Sequence, residues 1–296
     1  MIVQNRLHAF IQEHRRMIED EMISLLSELA IPRRLKESML YSLESGGKRL
    51  RPVLLAASFL AYSTDVTKIV RTSIALELVH TYSLIHDDLP AMDDDDVRRG
   101  KPTNHKVFDE ATAILAGDAL LTYSFELIAS DAHLHDEQKV FLINQLSRAS
   151  GPKGMVAGQI LDLKAENEHT TLEQLERIHA FKTGELFKFA IKAGAYIGKA
   201  AKDQLQFLDD YAYYLGLIFQ VQDDILDVIG DARKLGKPIG SDESKQKSTY
   251  PKLLGIEGAK KQKDIYVFKA KKALENAGAE KSYLMDLTDY FSERDR

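Results

Sequence analysis

Apolar residues recur at steps of three, four and seven along nearly the whole chain, the spacing that gathers them on one face of an α-helix. Across residues 6–29 the stripe is Phe10, Met17, Ile18, Met22, Leu25, Leu26 and Leu29. A second helix is expected to end at Gly46-Gly47, because glycine takes the positive φ of a helix C-cap. Residues 66–89 form a long apolar helix that Pro90 stops or bends. Thr170 and Thr171, each followed three residues later by Glu173 or Gln174, are overlapping capping-box signatures for a helix over 171–181. Residues 203–230 make another long helix, ended by Gly230. Further helices are expected over 104–116, 118–130, 136–149, 155–165, 183–198, 257–277 and 282–293. No run alternates as a strand would, and no linker, repeat or low-complexity tract interrupts the pattern. The pattern predicts an all-α chain folded as a single domain over residues 1–296. Hydrophilic loops at 93–103 and 231–249 each follow an acidic cluster.

Composition narrows the function classes. Hydrophobic residues make up 44% of the chain, enough for a substantial core, and the net charge of -5 excludes a general affinity for nucleic acid. With no cysteine, disulfides and thiolate chemistry are excluded. Glu13, Glu19, Asp20 and Glu21 break the apolar stretch that an export signal needs. The segment Ile69 to Leu89 is interrupted by Arg71, Glu77, His80, His86, Asp87 and Asp88. No integral membrane segment is therefore expected, and a cytoplasmic location follows.

Two clusters carry the candidate chemistry. In His86-Asp87-Asp88-Leu89-Pro90-Ala91-Met92-Asp93-Asp94-Asp95-Asp96, six of the ten residues from 87 to 96 are aspartate. Two carboxylates about 4 Å apart repel by roughly 4 kcal/mol at an effective dielectric near 20, so cations are needed to neutralise such a group. Mg²⁺ suits oxygen ligands and keeps positions open for phosphate. Asp94, Asp95 and Asp96 fit an ordinary solvated acidic loop, whereas Asp87 and Asp88 end a very apolar helix. The second cluster, Gln220, Asp223, Asp224 and Asp227, shares one face of an otherwise apolar helix. A stripe without lysine or arginine points to a polar cavity, and the two clusters are expected to wall one metal site. Positive counterparts lie at Gly46-Gly47-Lys48-Arg49-Leu50-Arg51-Pro52 and Arg98-Arg99-Gly100-Lys101, with His80 two turns before Asp87. Arginine grips phosphate oxygens with a bidentate fork, and lysine adds a compact charge. Gln159 with Asp162, Lys182-Thr183-Gly184, and Lys237, Asp242 and Lys247 are softer signals; taken singly, each fits a structural role.

Asp87-Asp88-x-x-x-x-Asp93 and Asp223-Asp224-x-x-Asp227 resemble the two aspartate-rich motifs of the trans-isoprenyl diphosphate synthases. Gly46 to Pro52, Gly154-Met155-x-x-Gly158-Gln159, Lys182-Thr183-Gly184 and Gly240-Ser241-Asp242 resemble the family's other motifs, in order over nearly the whole chain. The stretch from His80 to Arg99 is most similar to the bacterial farnesyl type. The resemblance implies antiparallel helices around a deep central cavity, a homodimer, and Mg²⁺ bound with the diphosphate, three ions per active site. The reaction it implies joins isopentenyl diphosphate to an allylic diphosphate, by ionisation of the allylic carbon and without a protein nucleophile. By position, Asp87, Asp93 and Asp223 match the metal ligands, with Asp88 and Asp227 acting through waters or as their support. Lys48, Arg51, His80 and Arg99 match the isopentenyl diphosphate pocket; Arg98, Lys182, Lys237 and Lys247 match contacts to the allylic diphosphate. Thr183 and Gln220 match groups facing the allylic cation.

Two positions depart from the family pattern: Asp109 stands where glycine is common, and Gly151-Pro152-Lys153 replaces a small-residue turn. Tyr82, five residues before Asp87, sits about 7–8 Å down the helix axis at 1.5 Å per residue. A core tyrosine would explain it equally well; the resemblance makes it the floor that sets product length. Four alternatives stay open. They are a synthase of longer products such as geranylgeranyl diphosphate, a class I terpene cyclase, a His-Asp phosphohydrolase, and a noncatalytic scaffold or inactive subunit. Against the cyclase, Leu226-Asp227-Val228 replaces the serine pattern its second metal motif requires.

Overall fold

The structure, a computed structural model, describes residues 2–165, 170–230 and 248–295. Its helices are α1 (Ile2–Glu28), α2 (Arg33–Leu43), α3 (Leu50–Leu60), α4 (Val70–Asp87, led in by a 3₁₀ turn at Val66–Ile69), α5 (Asn104–Val107) and α6 (Glu110–Ala129). They continue with α7 (Asp136–Ser150), α8 (Met155–Ala165), α9 (Leu172–His179), a π-turn at Ala180–Gly184, α10 (Glu185–Ile197) and α11 (Lys202–Ile229). After the second undescribed stretch come α12 (Tyr250–Asn276) and α13 (Tyr283–Glu293). The fold is all-α, apart from a two-stranded hairpin, β1 (Val97–Arg98) and β2 (Lys101–Pro102).

The chain forms two compact units, Met1–Ala56 with Asp65–Ile143, and Ala57–Thr64 with Asn144–Arg296. In the first, α4 packs chiefly on α6, and α2 packs on α1, α4 and α6. Every residue of α4 from Thr72 to Val79 is buried, which marks it as a central core helix. In the second unit α11 is central, packed by α10, α12 and α13. The Tyr211 hydroxyl donates to the Leu284 carbonyl at 2.9 Å and ties α11 to α13.

Several expected boundaries shift, each for a local reason. Helix α3 was not anticipated: residues 52–59 are all buried, so no polar face breaks the run into a period. Instead of helices over 104–116 and 118–130, the short α5 precedes one continuous α6. Gly117 is not a breaker there, because it makes room for a neighbour: a Cβ on it would lie 2.2 Å from Nε2 of His86. Continuous α6 is long and apolar enough to cross a membrane by length and composition, a test that a core helix passes equally. Helix α12 starts at Tyr250, seven residues earlier than expected, and bends at Gly255, whose φ is 70°. The hairpin was read as loop; Arg99 and Gly100 form its tip with φ of 55° and 76°, as a two-residue turn matched to strand twist requires. The capping box forms on Thr171 with Gln174, at 3.3 Å and 2.8 Å.

The departure at Asp109 also has a physical account. Its φ is 156°, a region that favours glycine. The carboxylate accepts the Thr112 amide at 2.7 Å as the N-cap of α6, and Arg34 at 2.5 Å. The Thr112 amide, then Arg34, holds this carboxyl down at about 2.

Candidate active site

In the first unit, α4 delivers the acidic cluster to a tight turn. The Asp93 amide donates to the Asp87 carbonyl at 2.9 Å, and that of Asp94 to the Leu89 carbonyl at 3.2 Å, so residues 87 and 93 meet at the mouth of one loop. Both side chains are half-buried. Asp88 points inward, 3% exposed, and accepts from Nε of Arg98 at 2.7 Å. Burial pushes its carboxyl up, against the pull of Arg98. Asp88 and Arg98, expected to serve the metal and the allylic diphosphate respectively, thus hold each other here. Asp94 and Asp96 are exposed, and Asp96 pairs with Lys106 at 2.7 Å. Among the described residues, Asp94, Asp96 and His105 are the trio whose ligand atoms converge within 4.8 Å. His86 donates through Nε2 to the Ile114 carbonyl at 3.1 Å.

The basic motif divides into structure and site. Arg49 is 3% exposed and left-handed, φ 49°; it donates to Glu77 at 2.7 Å, to Glu19 at 3.1 Å and to the Leu43 carbonyl. It staples α1, α2 and α4 to the start of α3. Lys48, by contrast, is exposed and Arg51 half-buried. Arg99, at the hairpin tip, donates to the Gly46 carbonyl and lies flat on Gly47, where a Cβ would come within 2.7 Å of its Nη1. Burial is the main cause that lowers the Arg51 guanidinium to about 10, and the charge of Arg99 adds to it. Burial, then Arg51, Arg99, Arg49 and Arg98, hold half-buried His80 well below the usual imidazole range. Arg49 and Arg98 among these already pair with carboxylates, and the remaining positive charge is what an anion would relieve. Arg51 and Arg99 thus act on His80 together with Arg98, which the resemblance had grouped with the allylic diphosphate instead.

Tyr82 is 6% exposed and meets the His86 ring edge-on at 5.6 Å. Burial, with the Asp87 charge second, pushes its phenol up to about 12.

In the second unit the polar groups converge on the π-turn. A Cβ on Gly158 would lie 2.2 Å from the backbone nitrogen of Lys182, so only glycine lets α8 approach this closely. Lys182 donates to Asp162 at 2.6 Å, and the Thr183 hydroxyl to Oε1 of Gln220 at 2.9 Å. Both amide atoms of Gln159 are buried without a hydrogen-bond partner among the described residues. Of the expected stripe on α11, Gln220 is half-buried and the Asp223 side chain is 41% exposed. Asp224 is instead buried, accepting the Tyr250 amide at 2.9 Å, and Asp227 is buried too. Arg294, just past α13, donates to Asp223 at 2.6 Å. Lys237, Lys247 and the stretch Gly240-Ser241-Asp242 lie outside the described residues.

Asp162, Arg294 and the structural role of Arg49 are what sequence reasoning missed or underweighted. For Asp162 the signal was its one-turn spacing from Gln159; for Arg294 there was only a basic residue after the last amphipathic stretch. In the first unit Asp87 and Asp93, and in the second Asp223, are half-buried carboxylates, the ligand type that a hard cation such as Mg²⁺ takes.

The chain is 47% identical over 295 residues to the farnesyl diphosphate synthase of Bacillus subtilis (strain 168), covering 98% of this chain and 99% of that one. It is 47% identical over 291 residues to the farnesyl diphosphate synthase of Geobacillus stearothermophilus, with 97% and 98% covered. An FPP/GFPP synthase structure from Zymomonas mobilis superposes with a TM-score of 0.86 at 38% identity, covering 97% of this chain and 99% of that one. Residues 32–287 match the family described as Polyprenyl synthetase, and the chain belongs to that family.

Proposed function

We propose that this chain condenses isopentenyl diphosphate with dimethylallyl and then geranyl diphosphate, giving (2E,6E)-farnesyl diphosphate and releasing diphosphate. The observation that carries it is the basic charge of Arg51, Arg98 and Arg99 acting on His80, on the same helix that ends in Asp87. Lys48, Arg51, His80 and Arg99 bind isopentenyl diphosphate, the guanidiniums as forks on phosphate oxygen. Arg98, Lys182, Lys237 and Lys247 bind the allylic diphosphate, Arg98 turning from Asp88 to do so. Asp87, Asp93 and Asp223 are the residues that would hold Mg²⁺, three ions with diphosphate bound, whose chemistry is to draw charge onto the leaving group. Thr183 and Gln220 direct their oxygens at the allylic cation, and the Thr183–Gln220 hydrogen bond keeps both oriented. One domain over residues 1–296 carries the activity, and the cytoplasm is the proposed location. Release of diphosphate and a fifteen-carbon product, on incubation with both substrates and Mg²⁺, tests the assignment; no diphosphate release would leave a noncatalytic scaffold.

Product length rests on Tyr82, and the relative named for FPP and GFPP makes a longer product the specific competitor. Its ring is buried one and a half turns before Asp87, where it would block a growing chain. Tyr82→Ala is expected to shift products to twenty carbons or longer, measured by chromatography after dephosphorylation. An unchanged fifteen-carbon product from an active variant places the floor elsewhere.

A homodimer is also proposed. Ile114 and Leu115 on α6 are 43% and 60% exposed, and Val140 on α7 is 69% exposed, an apolar surface suited to a second copy. Sedimentation at micromolar concentration is expected to give twice the chain mass; a monomer removes the proposal.

A further inference from the structure

Arg294 is fixed at both ends. Its side chain is 3% exposed, and one guanidinium nitrogen donates to Oδ1 of Asp223 at 2.6 Å and to the Phe219 carbonyl at 3.0 Å. The guanidinium carbon stands 4.1 Å from the centroid of the Phe219 ring. The Arg294 carbonyl accepts from Gln222 at 2.7 Å, whose other amide atom accepts from Lys263 at 2.7 Å. Lys263 donates in turn to the Ser292 carbonyl at 2.6 Å. The chain after α13 is thereby stitched to α11 and α12, and the arginine is a built-in counter-ion of Asp223 rather than a passing surface contact.

We propose that Arg294 is a positioning residue for Asp223: it holds one carboxylate oxygen and keeps free divalent cations off, until a diphosphate brings the cation in. This rests on Asp223 being a metal ligand. A fixed positive charge beside a carboxylate cancels most of its attraction for a second cation. Coulomb energies between charges a few ångströms apart in a partly desolvated site exceed what a metal gains from one pre-ordered side chain. The anionic diphosphate reverses the balance by adding negative charge next to both. The side chain of Asp223 remains 41% exposed, so its free side is open to an arriving complex.

The test is a titration of the substrate-free, full-length protein with Mn²⁺, followed by calorimetry and by the electron paramagnetic resonance of free Mn²⁺. Arg294→Gln is expected to tighten Mn²⁺ binding about tenfold, equivalent to about 1.4 kcal/mol. Arg294→Lys, which keeps the charge, should stay near the wild type. With inorganic diphosphate present, wild type and Arg294→Gln should converge. Unchanged or weaker binding by folded Arg294→Gln overturns the role. If that variant does not fold, Phe219→Leu, which loosens the guanidinium, makes the same comparison: tighter Mn²⁺ binding supports the role and no change overturns it. Asp223→Asn separates the two claims. If it leaves Mn²⁺ binding unaltered, Asp223 is not a ligand and the underlying assignment fails; if it abolishes binding that Arg294→Gln did not strengthen, only the role of Arg294 fails.

Discussion

Asp87→Ala is expected to lower turnover by about a hundred- to a thousandfold or more, because losing one preorganised electrostatic partner of a developing charge commonly costs that much. The helical circular dichroism should barely change, since Asp87 is half-buried at the end of α4 and its backbone carbonyl, not its side chain, closes the turn to Asp93. Steady-state kinetics with both substrates and Mg²⁺ measure the effect. Asp95→Ala serves as the comparison and should do little. Near-normal turnover in a folded Asp87→Ala protein refutes the assignment of the first aspartate motif.

Glu77→Ala acts on stability. Glu77 and Arg49 are each 2% exposed in their side chains and pair at 2.7 Å. Removing one member leaves the other charge buried, a loss of about 3–5 kcal/mol. Glu19 and the Leu43 carbonyl still hold Arg49, which favours the lower end of that range. Urea unfolding followed by circular dichroism should show the midpoint fall sharply. Glu37→Ala, which breaks an exposed pair with Arg33, should leave the unfolding midpoint nearly unchanged. Equal effects from the two would mean that the Arg49 staple is not what holds the start of α3.

Much of the fold was legible because most helices have one wet face. The stripe from Phe10 to Leu29 announces α1, and Thr171 with Gln174 marks the start of α9 within a residue. Helix α3 was not legible, since a helix buried all round has no polar phase to reveal its period. The expected break between 116 and 118 is absent because Gly117 sits inside a continuous helix, where it makes space for an imidazole from another helix. At the site, residue types and motif spacing identified the aspartates and the basic loop. They could not divide Arg49 from Arg51, two residues apart, because the division depends on Glu77, 28 residues further on. The same limit hid Arg294, whose partner lies 71 residues earlier. Partners brought together only by tertiary packing leave no local trace.

The π-turn at Ala180–Gly184 gives one rod two phases. A residue adds about 100° of rotation in a regular α-helix, at 3.6 residues per turn, and a wider turn absorbs one residue more than the α ladder would. The buried faces of α9 and α10 are thereby offset, so that each helix meets its own neighbours, while Lys182 and Thr183 are delivered to Asp162 and Gln220. Deleting a single residue here would shorten the chain trivially yet turn everything on one side of the cut by nearly a third of a revolution. Either the two polar pairs or the packing of α10 would then be out of step. In this stretch, length is as tightly constrained as the identity of the side chains.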